Sequence, residues 1–96
     1  MIAIQCPLVI EKEQITGLRF PAGEVLTSAE SIAERNAELH RATRLGNTDK
    51  LKFKIVFEDD KGIKQVETTI WAVTNERVVL KHGITIPVSR IHEIKV

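Results

Sequence analysis

The sequence predicts a mainly β (α+β) domain: a small five-stranded β-barrel preceded by one α-helix and an extended N-terminal arm. Closely spaced strand-like runs fill residues 51–96, separated by turn residues. Strands so near in sequence bury their apolar faces together only by curling into a small barrel or strongly twisted sheet. Residues 28–45 carry a helical pattern behind a capping sequence, and residues 2–10 alternate as an extended chain does. The expected organisation is an arm and loop over 1–27 and a single domain over 28–96, with the helix at 28–45 and the barrel at 51–96.

In the arm, Ile2, Ile4, Cys6, Leu8 and Ile10 fall on one side of an extended chain. Pro7 lacks an amide hydrogen, which confines such a strand to a sheet edge. Glu11 to Gln14 reads as a turn. Gly17, Pro21 and Gly23 make Ile15 to Val25 a loop, pinned to the body by Leu18 and Phe20. Thr27 or Ser28 can cap the helix, with Glu30 three residues after Thr27 as a capping box requires. Ala29, Ile32, Ala33, Asn36, Leu39 and Thr43 form its expected inner face, and Gly46-Asn47 its expected end. Glu30, Glu34 and Glu38 precede Arg41 and Arg44, an order that complements the helix dipole. The stripe is narrow, so the helix should lie over an end or edge of the barrel.

The first strand puts Leu51, Phe53, Ile55 and Phe57 inward and Lys52, Lys54, Val56 and Glu58 outward. Asp59-Asp60-Lys61-Gly62 is a hairpin loop whose acids read as solvated turn residues. A long strand follows from Ile63 to Thr74, with Val66, Thr68, Ile70 and Ala72 on one side. It becomes apolar on both sides near its end, which implies a bend serving two sheets. Val78, Leu80, Ile84 and Ile86 point inward around the His82-Gly83 turn. Pro87 to Arg90 breaks the ladder before Ile94 and Val96 finish the barrel.

Composition narrows the function classes. The chain has 96 residues, 43% hydrophobic and 28% charged, with a formal charge of +1. That is one ordinary globular domain. Residues 51–96 hold eight basic and six acidic residues, far from the surplus of a dedicated nucleic-acid binder. A lone cysteine, Cys6, allows no internal disulfide, so a reducing, cytoplasmic setting is expected. The apolar opening is short, lacks a cationic start and contains Pro7, so neither a signal peptide nor a membrane span is expected.

The pattern over residues 28–96 resembles the small five-stranded barrels of the Sm-like and SH3-like folds, with a long bent strand and a short turn before the last strand. The ending Ile84-Thr-Ile-Pro-Val-Ser-Arg-Ile-His-Glu-Ile-Lys-Val96 is similar to the closing strands of Sm-like proteins. Lys81-His82-Gly83-Ile84-Thr85 resembles a lysine–histidine segment that the bacterial Sm-type RNA chaperone uses near its RNA-binding pore. Here it falls between the third and fourth strands, one connection early. The aspartate and asparagine of the Sm family's first motif are replaced by Ile70-Trp71-Ala72-Val73.

The leading expectation is a non-enzymatic binding or assembly module acting on protein partners or on further copies of itself. Self-association would use Ile2, Ile4, Cys6, Leu8 and Trp71, because an apolar arm can add to a neighbouring sheet edge. Trp71 can otherwise fill the core or serve as a base platform. The alternative is Sm-like RNA binding through Lys52, Lys54, Arg77, Lys81, His82 and Arg90. No cofactor or metal is expected: His40, His82 and His92 lack ligand spacing, and Cys6 sits in an apolar alternation that suits a buried hydrophobe.

Overall fold

In the computed structural model, which describes residues 7–49 and 51–95, the chain forms one α-helix and seven short strands in two sheets. Alternating apolar positions build the first hairpin. Strands β2 (Phe53–Glu58) and β3 (Ile63–Thr68) pair antiparallel from Phe53 opposite Thr68 to Glu58 opposite Ile63. Phe53, Ile55 and Phe57 enter the core beside Val66 and Thr68. Leu51, expected inward, precedes the strand and is exposed. Val56, expected outward, is buried apart from the main core, between its register partners Gln65 and Glu93.

The long second strand bends at Thr69, as its two-sided apolar pattern implies. Before the bend, β3 belongs to a four-stranded sheet ordered β1-β3-β2-β7, where β1 is Leu8–Val9 and β7 is Ile91–Lys95. After it, β4 (Ile70–Val73) joins a three-stranded sheet with β5 (Arg77–Leu80) and β6 (Thr85–Pro87). Strand pairing does not close the two sheets into one barrel. Ala72 is exposed although its parity predicted burial, because the β4–β5 register shifts between Ile70 and Ala72. Ile70, Val78, Leu80, Ile86, Val88 and Ile91 complete the core. A short 3-10 turn at Val88–Arg90 leads into β7.

Helix α1 (Ala29–Asp49) starts where its capping residue places it: the Ser28 hydroxyl accepts the Ser31 amide hydrogen at 3.0 Å. It continues through Gly46-Asn47, the expected end. Glycine weakens a helix interior without forbidding it, and among the described residues positive φ occurs only at Gly23, Gly62, His82 and Gly83. The helix packs on β4 and β7, bridging the two sheets. Its inner face is rotated from the expected one: Arg35, Leu39 and Ala42 are buried, whereas Ala29, Ala33 and Asn36 are exposed. The cause is Arg35. A reading of apolar spacing assigns an arginine to solvent, but here its guanidinium donates to both Glu24 carboxylate oxygens, at 2.5 and 2.7 Å, and to the Ile91 carbonyl at 3.2 Å.

The described part of the N-terminal segment is tied into the body. β1 pairs parallel with β3, Leu8 opposite Lys64 and Val9 opposite Gln65, and the Ile10 amide donates to Gln65 O at 2.9 Å. A 3-10 helix spans Lys12–Gly17 where a turn and loop were expected, closed at its start by reciprocal Glu11 and Gln14 contacts. It buries Ile15, while Leu18 and Phe20 pack on the core as pins. The Phe20 ring lies 5.9 Å from that of Phe57. Further along, the Asp60 amide donates to Arg19 O and the Val25 amide to Ser89 O.

Candidate functional site

Turn chemistry decides which charges reach the surface. Asp59, expected as a solvated turn acid, is buried with its side chain 1% exposed. Its carboxylate accepts the amide hydrogens of Lys61 and Gly62, at 2.9 and 3.0 Å, and pairs with Lys64 at 2.7 Å. Burial pushes this carboxyl up, but the Lys64 ammonium and the two amides outweigh it and hold its pKa below the usual range. Glu24 behaves alike: burial raises it, and Arg35 with the Leu26 and Val25 amides brings it below the ordinary value.

Of the six basic candidates, Arg90 is withdrawn from any surface role. It is buried, its Nε donating to Glu58 O and a terminal nitrogen to Gly23 O, both at 3.1 Å. Lys52 and Lys54 stand exposed at the start of β2, where Lys54 lies in register between Glu67 and Lys95. Arg77, Lys81 and His82 are exposed on the β5–β6 hairpin. The two groups therefore occupy different sheets. Among them, Arg77 and His82 line one groove.

That groove, about 600 Å³, runs between the 15–20 segment and the β5–β6 hairpin. Half-buried Leu18, Phe20, Ile84 and Pro87 form its apolar part, and Arg77 and His82 its ionisable part. Arg77 donates to Thr85 Oγ1 at 3.4 Å across the hairpin. His82 has φ 70° and Gly83 φ 79°. A left-handed backbone at a histidine is uncommon, and such strain persists where surrounding structure imposes it.

A second cluster escaped sequence reasoning. The β2–β7 register shifts between Val56 and Phe57, so His92 is the extra residue of a bulge. Its Nε2 comes within 2.9 Å of Glu58 Oε1, on the wall of a cleft of about 460 Å³ that Ser31 also lines. Nucleophilic catalysis requires a hydroxyl within hydrogen-bond reach of the imidazole. Among the described residues no hydrogen bond joins Ser31 to His92; the Ser31 oxygen accepts from the Ser28 hydroxyl at 2.8 Å, inside the helix cap. Glu58 also approaches Arg90 at 3.7 Å. We read these residues as a clamp that fastens β7 and the loop at Gly23 to β2. Only the bulge makes the pair, and a bulge leaves no mark in alternation.

The self-association candidates divide. Ile2, Ile4 and Cys6 lie outside the described residues. Leu8 and Val9 are 62% and 67% exposed on β1, which forms one edge of the four-stranded sheet. Trp71, 47% exposed, belongs to the other sheet. The remaining edges are guarded. β7 carries exposed Glu93 and Lys95, β6 has three residues and ends in Pro87, and β4 is packed by α1. Two of these described edges present exposed apolar side chains without a charge on the strand, β1 with Leu8 and Val9 and β4 with Trp71 and Ala72, and of the two it is β4 that α1 packs.

Among the described residues, no group of three or more His, Cys, Asp or Glu side chains could hold a metal ion, and no helix is long and apolar enough to cross a membrane. Comparison with known proteins finds no matching family model, no similar curated protein and no similar solved structure.

Proposed function

We propose that the protein is a non-enzymatic binding and assembly module that associates with further copies of itself through the β1 edge. The observation that carries this reading is the exposed pair Leu8 and Val9 on an edge strand, where apolar side chains and unpaired main-chain groups together favour pairing with another strand. Two β1 strands meeting about a two-fold axis would give a closed, self-complementary contact. The scaffold is proposed to be a small SH3/Sm-like barrel. With the bent β3 and β4 counted as one, the strands following α1 number five, β2 pairs with both β3 and β7, and a 3-10 turn precedes the last strand.

RNA binding is the second reading, favoured by the exposed Arg77, Lys81 and His82 on one hairpin. It is weakened by the engagement of Arg90 and Lys64 in the interior. Light scattering after size exclusion, on the full chain and on Val9→Lys, tests the leading reading. The expected result is a dimer that the substitution converts to a monomer with an unchanged circular dichroism spectrum. A monomeric wild-type chain at high micromolar concentration overturns it, and filter binding of short RNAs with a steep salt slope would then favour the second.

A further inference from the structure

We propose that the groove between the 15–20 segment and the β5–β6 hairpin is a docking site for an extended peptide segment of another protein that is both apolar and acidic. Its volume of about 600 Å³ lies within the roughly 300–1,000 Å³ usual for ligand sites. The apolar walls are held in place before any ligand arrives. Leu18 is fixed by the hydrogen bond its backbone amide donates to Ile15 O, and Phe20 by its contact with the buried Phe57 ring. Ile84 and Pro87 face them from the hairpin.

Charge selects the ligand. Among the described residues that line the groove, Arg77 and His82 are the ionisable ones, and none is a carboxylate. An arginine in that position presents a planar fork that matches a carboxylate. Backbone selects its shape. β6 is the outer strand of the three-stranded sheet, and Thr85 and Pro87 of that strand line the groove; Pro87 allows no continuous ladder there, so an extended chain would lie alongside this short edge, held by its side chains in the apolar recesses. Single-stranded RNA is the weaker match. Such sites present several stacking aromatics in a strongly basic channel, whereas this groove offers one half-buried phenylalanine and two basic side chains. The groove is separate from the β1 edge, so this inference stands or falls independently of self-association.

The test is a titration of the isotope-labelled full chain, followed by amide NMR shifts. The probes are an end-blocked hexapeptide alternating leucine and glutamate, its leucine–lysine counterpart, and a hexauridylate. The acidic peptide is expected to shift residues 15–20 and 77–87 saturably, and the lysine peptide to leave them in place. Arg77→Gln, an exposed position that should fold normally, is expected to weaken binding about tenfold, the scale of one charge-assisted hydrogen bond. His82→Gly fits the left-handed backbone, so it should raise the melting temperature while weakening the peptide several-fold. The proposal is overturned if the acidic peptide leaves these amides unmoved at millimolar concentration. It is equally overturned if the lysine peptide or hexauridylate shifts them as strongly, if the peptide acts at the β1 edge instead, or if neither substitution changes affinity.

Discussion

Replacing Arg35 with methionine should loosen the protein more than any other single change to a charged residue. The side chain is 3% exposed and makes three hydrogen bonds to groups 11 and 56 residues away. Breaking a buried ion pair by removing one partner costs roughly 3–5 kcal/mol. Glu24, with 29% of its side chain exposed, regains water and offsets part of this, which leaves about 2–4 kcal/mol. The carbonyl of the buried Ile91 is left without this donor. For a domain of this length, 1 kcal/mol moves the melting temperature by about 4–8 °C, so a fall of roughly 10–25 °C is expected. Thermal unfolding followed by circular dichroism reads the loss. Hydrogen exchange reads its origin, because the Val25 amide bonded to Ser89 O should exchange faster than β2 and β3 amides. A loss below about 0.5 kcal/mol, the range of ordinary surface changes, would refute a structural role for the Arg35 contacts.

Other outcomes follow from the same contacts. Asp59 and Glu24 have pKa values lowered by folding, so each contributes stability that is complete above the unfolded carboxylate pKa, about 4, and lost as pH falls through the folded value. Asp59→Asn should therefore flatten the acid limb of a stability–pH profile; an unchanged limb contradicts the Lys64 pairing. Phe57→Ala should cost about 3–5 kcal/mol in urea unfolding, since the ring is fully buried against Phe20. A cost under about 1.5 kcal/mol would mean that the ring is not part of the core.

What was legible in the sequence was local and apolar. Alternation from Phe53 to Phe57 located the first hairpin, and the two-sided apolar pattern near the end of the long second strand implied a bend, which the structure places at Thr69. The Thr27-Ser28 pair located the start of α1, and of the two it is Ser28 that accepts the Ser31 amide hydrogen. Illegible were the charged residues whose partners lie far along the chain. Arg35, Arg90, Asp59 and His92 are all placed by contacts that periodicity cannot register, and three of them were read as solvent-facing or as free to bind. The groove was half legible. Arg77 was named from its charge and His82 from a resemblance to a lysine–histidine segment, but the wall formed by Leu18 and Phe20 depends on how a glycine- and proline-containing segment folds back. That folding back is enforced by Asp60, Ser89 and Arg90, none of which signals it in sequence.

Isotope-filtered NMR on an equal mixture of labelled and unlabelled chains tests the assembly surface most directly. The expected result is a set of contacts between copies confined to Pro7–Ile10. No contact between copies at concentrations where the strands should pair, or contacts placed at β6 or β7 instead, would contradict assembly through the β1 edge.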